Sequence, residues 1–298
     1  MAVHGDVIRT RSLGEGLFQL SDPFGYRAYL VMGEREAALV DTMGGCGNLM
    51  DAVRSLAGVR PVRVLLTHRH ADHVGGAWAF SEVAMAAGED GHWDKAAAAL
   101  GEFRAAAVRN GMVAPDEPWA FEVGGRPRVG HLADGDEIDL GGRRLACVAL
   151  PGHTDASMGY LCPELRALFS GDAVTPIMCL CFSESLPVAA WRRTLEKMGR
   201  LDFERFYTGH HVHAFTKADL FGFKAAADFV QAGDRGFAWH HAVVAGWEGT
   251  CHLCPCDTAD ADSPDFRAVI TRGLPGAAQI ASRASRIACV GHVGARGA

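Results

Sequence analysis

The sequence predicts an α/β fold in which helices cover sheets built partly from hairpins, rather than a purely parallel doubly wound sheet. Three observations carry this. Short apolar runs bounded by Gly, Asp and Pro recur along the chain. Segments with apolar residues at helical spacing alternate with those runs. Two of the runs are joined by a tight Gly-Gly turn, which is a hairpin signal.

In chain order, residues 17–20, 28–32 and 37–40 read as short strands separated by turns. Residues 48–56 carry Leu49, Val53 and Leu56 at helical spacing. After Pro61, the run Val62, Val64, Leu65, Leu66 reads as a short buried strand. Residues 92–109 are Ala-rich, include Leu100, Phe103 and Val108, and are expected to be helical. They fall in the longest gap between candidate ligands, His73 to His153, where a substrate-covering insertion would sit. Asp134-Gly135-Asp136 leads into residues 138–140, and Gly141-Gly142 turns the chain into residues 145–150. That second run hardly alternates, so it is expected to be buried on both faces. Residues 167–169 and 203–207 are two more strands. Between them Trp191, Leu195 and Met198 mark an amphipathic helix entered near Ser185 and Pro187. A capping-box-like start at Thr216 and Asp219 opens a last helix through Leu220, Phe223, Ala227 and Val230, which stops near Gly233. Beyond about residue 236 the composition shifts to Gly and Ala with Trp239, Trp247 and a cysteine cluster. The chain is therefore divided into a domain of residues 1–235 and an extension, 236–298, packed on that domain.

Composition narrows the function classes. The 298 residues are 49% hydrophobic and 21% charged, which is ordinary for a globular protein with a sizeable core. A net charge of −6 and the lack of a basic cluster argue against nucleic-acid binding. The N-terminus lacks the basic start and apolar core of a secretory signal, and no apolar run has the length of a membrane span. Nine cysteines, an odd number, with Cys147 and Cys162 in apolar surroundings, suit reduced thiols in a cytoplasm better than a disulfide framework. The partners expected are a small-molecule substrate and, at most, a second copy in a homodimer, without nucleic acid or membrane.

The chemistry lies at the strand ends. The strand ending at Leu66 is followed by Thr67-His68-Arg69-His70-Ala71-Asp72-His73. Leu150 is followed by His153, Phe169 by Asp172, and Tyr207 by His210, each of these three preceded closely by a glycine. If the strands share one sheet edge, His68, His70, Asp72, His73, His153, Asp172 and His210 converge there. Imidazole and carboxylate suit zinc first, with iron or manganese as alternatives. Seven ligands exceed what one tetrahedral ion uses, so they can be divided between two divalent ions sharing a carboxylate. Such a pair can hold a bridging hydroxide at neutral pH without any serine or cysteine nucleophile.

This ordered set resembles the metallo-beta-lactamase superfamily, in its dinuclear hydrolase branch of glyoxalase II-like thioesterases and lactonases. The resemblance spans about residues 15 to 232 and includes Val40-Asp41-Thr42 and the Asp134-Gly135-Asp136 turn. It implies a four-layer αβ/βα sandwich of two mixed sheets flanked by helices, with the metals at one edge. It also implies that His68, His70 and His153 hold a first ion, that Asp72, His73 and His210 hold a second, and that Asp172 bridges them. Asp72 would orient the nucleophilic water and shuttle its proton. The implied activity is metal-dependent hydrolysis of a small-molecule ester, thioester or lactone. Inside the superfamily, His70 stands where flavodiiron-type relatives have Glu, which disfavours an oxygen-reducing di-iron centre. Asp172 is present where beta-lactamases usually lack it. The segment after His210 does not reproduce the tyrosine-containing stretch of glyoxalase II, so a glutathione thioester is not supported. The alternative from another class is a mononuclear iron persulfide dioxygenase-like oxidoreductase.

Weaker signals remain open at this level. Tyr207 is either a donor to a developing oxyanion or a packed core residue. His211 and His213 are either substrate contacts or loop histidines. Met178, Cys179, Leu180, Cys181 and Phe182 line an apolar substrate pocket or belong to the core. Cys251, Cys254, Cys289 and His292 would supply four ligands to a structural zinc, against a default of reduced thiols.

Overall fold

The computed structural model describes residues 7–241, 247–261 and 263–274. The first half of the chain forms a seven-stranded sheet in sequential order: β1 (Arg9–Gly14), β2 (Leu17–Ser21), β3 (Arg27–Met32), β4 (Ala37–Val40), β5 (Val62–Leu65), β6 (Glu82–Ala86) and β7 (Arg128–Leu132). Pairing is antiparallel up to β4 and parallel beyond it. The intervening helices are α1 (Leu49–Ala57), the single turn α2 (Ala71–Val74), α3 (Trp93–Arg109) and the single turn α4 (Ala120–Val123). Asn48 caps α1 by accepting the Asp51 N–H, and Gly58 ends it at a φ of 64°.

A second, six-stranded sheet contains β8 (Glu137–Asp139), β9 (Arg144–Ala149), β10 (Met158–Cys162), β11 (Ala167–Gly171), β13 (Arg205–Thr208) and β14 (Phe215–Thr216), in the order β14-β13-β11-β10-β9-β8. Between β11 and β13 lie β12 (Ile177–Leu180) and α5 (Val188–Arg200), which begins after Pro187; α6 (Leu220–Gln231) follows β14. Thr216 and Asp219 form the predicted capping box. The expected hairpin of β8 and β9 is present, with Ile138 opposite Leu145.

Strand alternation sorts the side chains into layers. One face of the first sheet packs Leu39, Val64 and Met85 against Leu49, Val53 and Leu100 of α1 and α3. The opposite face presents Tyr29, Val40 and Leu65 to Cys147, Tyr160, Phe169 and Tyr207 of the second sheet. The outer face of the second sheet packs Val148, Leu168 and Phe206 against Trp191, Leu195 and Phe223 of α5 and α6. The arrangement is helix, sheet, sheet, helix, the four-layer sandwich implied by the sequence.

One element was not foreseen. β15 (Phe237–His240), β16 (Glu248–Leu253) and β17 (Ala268–Thr271) join β12 in a third, four-stranded sheet, in the order β12-β17-β16-β15. β17 runs parallel to β12, pairing Met178 with Val269 and Cys179 with Ile270. The C-terminal segment is thereby stitched into the chain just after Asp172. No helix among the described residues is long and apolar enough to cross a membrane.

Candidate metal centre

The C-terminal ends of β4, β5, β9, β11 and β13 meet at one edge of the sandwich. Backbone and side-chain hydrogen bonds lock the two sheets together there. Met158 N–H donates to Thr67 O at 2.8 Å and Arg27 N–H to Gly209 O at 2.8 Å. The Tyr160 hydroxyl donates to Leu66 O at 2.8 Å, and the Tyr29 hydroxyl to Thr208 O at 2.9 Å. The seven ligand candidates gather on this edge in two groups: His68, His70 and His153, and Asp72, His73, Asp172 and His210. Within each group the ligand atoms all lie within 4.8 Å of one another. Asp172 stands between the groups, its Oδ2 2.8 Å from His210 Nε2 and 3.8 Å from His153 Nε2.

Glycine is required at two of these turns. A Cβ at Gly209 would sit 2.3 Å from His73 Cε1 and 2.8 Å from Asp172 Oδ1. Gly171 has a φ of 51°, and a Cβ there would lie 2.3 Å from Thr67 Oγ1. The glycines that precede the ligands are therefore what lets the strand ends close on one another.

Hydrogen bonds behind the rings decide which nitrogens face the centre. A carboxylate or carbonyl can only accept, so the histidine nitrogen opposite it carries the proton. His73 Nδ1–H donates to Asp41 Oδ2 at 2.8 Å, which turns Nε2 towards the centre. His153 Nδ1–H donates to Cys179 O at 2.8 Å, and His70 Nε2–H donates to Glu184 Oε1 at 3.0 Å. The Thr67 hydroxyl donates to Asp41 at 2.8 Å and therefore accepts from His68 Nδ1 at 3.0 Å. One ring nitrogen of each of four imidazoles points inward. Two of them, His70 Nδ1 and His153 Nε2, face each other at 2.8 Å, which repels unless a cation or proton lies between. His68 Nε2, His73 Nε2 and Asp172 Oδ1 are buried without a hydrogen-bond partner, although His73 Nε2 and Asp172 Oδ1 are 3.3 Å apart. Each such orphan costs about 1–3 kcal/mol if nothing answers it. The donor set fits divalent metal ions.

Electrostatics divides the groups in the same way. Burial, reinforced by neighbouring imidazoles, holds His68 well below the usual histidine range and His153 down to about 4. These rings are neutral and ready to ligate. Burial also opposes charge on His73 and His210, but Asp172 with Asp41 and Asp72 more than offsets it, so both are raised. Burial works against the Asp172 carboxylate too, yet His210 and His73 hold it well below the usual range. The hydrogen bond from His70 lowers Glu184.

A model of the metallo-beta-lactamase superfamily matches residues 21–210, the span that contains all seven ligands. The chain belongs to that superfamily. This metallo-beta-lactamase-fold protein is 31% identical over 227 residues to the acyl-coenzyme A thioesterase MBLAC2 of Bos taurus, covering 67% of this chain and 80% of that protein. It is 30% identical over 192 residues to a hydroxyacylglutathione hydrolase of Acidiphilium cryptum, covering 64% of this chain and 66% of that protein. Among solved structures it resembles a metallo-beta-lactamase from Pontibacter korlensis, with a TM-score of 0.54 at 15% identity over 74% of this chain and 99% of that one. That last likeness is one of fold. The protein is a metal-dependent hydrolase of this superfamily.

The weaker sequence candidates separate once placed. Tyr207 stacks on Phe169 at 5.6 Å and packs on Tyr29 at 5.1 Å in the core between the sheets, because its strand position faces inward rather than past the strand end. That is the packed position of the two that the sequence left open for it. His211 is buried with Nδ1 3.0 Å from Thr208 Oγ1, and His213 packs on Phe215 at 4.7 Å. Met178 and Leu180 belong to the core under α5, and Cys179 and Cys181 join the small core of Trp239, Phe266 and Ile270 on the other face of the third sheet. Only Phe182 of that run reaches the centre, with its ring 4.6 Å from His70 and 5.4 Å from His153. Cys251 and Cys254 enter different cores, and burial raises both thiols to about 12. Cys289 and His292, the other two residues of the structural-zinc reading, lie outside the described residues.

Several contributors were given no role at the metal centre by the sequence. Asp41 orients His73, and Glu184 orients His70. Tyr26 packs edge-on against His210 at 5.5 Å and is held by Phe103 of α3 at 6.1 Å. At the other end of α3, Lys95 Nζ lies 3.9 Å from Glu184 Oε1, so the predicted insertion does run beside the centre. Only Asp41 carried a local signal: it ends β4 in the left-handed region, at a φ of 62°, where Asp is tolerated and a β-branched residue is not.

Proposed function

We propose that this protein is a dinuclear thioester hydrolase with the two ligand groups as its metal sites and Asp172 as the shared carboxylate. The single observation that supports this most is the set of four inward ring nitrogens, oriented by Asp41, Glu184, Thr67 and the Cys179 carbonyl, beside a complete second group. The thioester is proposed because two relatives of different name, the acyl-coenzyme A thioesterase and the hydroxyacylglutathione hydrolase, both act on that bond. Zinc is the first choice of metal from the imidazole-rich donor set.

When bound, divalent ions at these groups would bring the pKa of water towards neutrality and polarise the thioester carbonyl. The residues of the chain supply the rest. His68, His70 and His153 bind from one side, and His73 and His210 from the other. Asp41 and Glu184 keep the rings turned so that no ligand must reorganise. Asp72 Oδ2 lies 3.4 Å from His210 Nε2 and 3.9 Å from His73 Nε2, and its side chain remains 24% exposed. It can therefore accept the proton of the attacking water and return it to the departing thiolate as the C–S bond breaks. Tyr26 and Phe182 flank the centre from opposite sides and confine the substrate.

The test is turnover of acyl thioesters by metal-loaded protein, with lactones and phosphodiesters alongside. Asp72→Asn and Asp172→Ala are expected to abolish thioester hydrolysis. Full activity in either variant, or one iron per chain with oxygen uptake on a persulfide, would replace this reading with the oxidoreductase one.

A further inference from the structure

The third sheet is not a remote appendage. Phe182, which packs on the metal-ligating rings of His70 and His153, is itself covered by Trp247, their rings 5.1 Å apart at 80°. Trp247 packs in turn on His241 at 5.1 Å, and the His241 N–H donates to Trp247 O at 2.8 Å. Both residues come from the β15–β16 side of the third sheet. An aromatic run therefore leads from the metal ligands outward onto the C-terminal segment. The loop beneath it is pinned from the same sheet. Arg272, just past β17, donates through Nη2 to Phe182 O at 2.5 Å, Ser183 O at 2.9 Å and Ser185 O at 2.9 Å.

We infer that the third sheet supplies the acyl-binding wall of the metal centre, with Trp247 and Phe182 setting which acyl groups the enzyme accepts. This rests on the thioester reading of the centre. The occupant is argued from chemistry. Trp247 leaves 38% of its surface exposed beside Phe182, one ring out from His70 and His153, an apolar area that an acyl chain would cover. Arg272, the cation next to Phe182, is committed to three backbone carbonyls and is not free for the phosphates of a carrier thiol. Burial lowers His241, with Asp72 opposing, and a neutral ring suits an apolar neighbour. The acyl group would lie along Phe182 and Trp247, and the carrier thiol would leave towards the Tyr26 side.

The experiment measures binding of S-dodecyl- and S-methyl-coenzyme A thioethers, which cannot be hydrolysed, to metal-loaded protein by calorimetry, with acyl thioester turnover followed separately. Trp247→Ala is expected to lower the dodecyl-over-methyl affinity ratio roughly tenfold, and Trp247→Phe to restore most of it. Metal content, measured in each variant, separates a lost wall from a lost fold. A ratio unchanged in Trp247→Ala, or no dodecyl preference in the parent protein, overturns the inference. Selective dodecyl binding that depends on Trp247 but comes without thioester turnover would uphold the wall and overturn the thioesterase reading instead.

Discussion

Replacing Asp41 by Asn tests whether the ring orientations are what makes the centre. Asp41 is 2% exposed and accepts three hydrogen bonds at 2.8 Å: from Thr67 N–H, from the Thr67 hydroxyl and from His73 Nδ1–H. Asn has the same shape but one acceptor oxygen and one donor group. Whichever way the amide turns, one of the fixed N–H groups of Thr67 or His73 meets a donor. If His73 gives way by turning its ring, the orientation that aims Nε2 at the second group is lost. One unanswered buried donor costs about 1–3 kcal/mol. Removing an outer partner of a metal-ligating histidine weakens metal affinity by roughly 10–100-fold, about 1.4–2.8 kcal/mol at a factor of ten per 1.4. The two magnitudes agree. In Asp41→Asn, metal affinity at the Asp72, His73, Asp172 and His210 group should therefore fall by roughly 10–100-fold, with a smaller effect on the His68, His70 and His153 group through Thr67. Competition with a chromophoric chelator reads both affinities. Affinities within about twofold of the parent at both groups, in a folded variant, would refute the reasoning.

Other perturbations follow from the same geometry. Gly209→Ala should empty the second group outright, since its Cβ has only 2.3 Å to His73 Cε1; metal analysis should then give at most one ion per chain. Trp191 is fully buried and its Nε1–H donates to Ala173 O at 3.0 Å, next to Asp172, so Trp191→Phe should cost about 1–3 kcal/mol in denaturant unfolding. His73 and His210 are raised in the metal-free protein by Asp172 and its neighbours against the opposing effect of burial. Raised histidines contribute fully below the unfolded value of about 6.5 and lose that contribution as pH climbs through the folded value. Metal-free protein should accordingly lose stability above that range, and metal loading at neutral pH should release protons. Calorimetric titrations in buffers of different ionisation heat measure the release, and zero protons would contradict the assignment.

What could be read from the sequence was whatever is local. A strand ending in a ligand is a short-range pattern, so His68–His73, His153, Asp172 and His210 stood out together, as did the cap of α6 and the β8–β9 hairpin. Elements without alternation stayed hidden. β10 is buried on both faces apart from Leu161, and β1 is a mostly exposed strand of polar residues. β12 carries Met178 and Cys179 on opposite faces because it is an edge strand of the third sheet, with one face towards α5 and the other towards the Trp239 and Ile270 core, and in sequence it looks like pocket lining. Glu184, Tyr26 and Trp247 approach the ligands only through tertiary structure, from loops that carry no motif. The third sheet was missed because its pairing of β12 with β17 spans some ninety residues of intervening chain.

The account stands most directly on a metal-titrated assay. Metal-free protein is supplied with zinc in fractions of an equivalent while hydrolysis of an acyl-coenzyme A thioester is followed. A rise to maximal turnover at two equivalents per chain, absent in Asp172→Ala, is the expected result. Maximal turnover at one equivalent, or none at two with both ions bound, would contradict it.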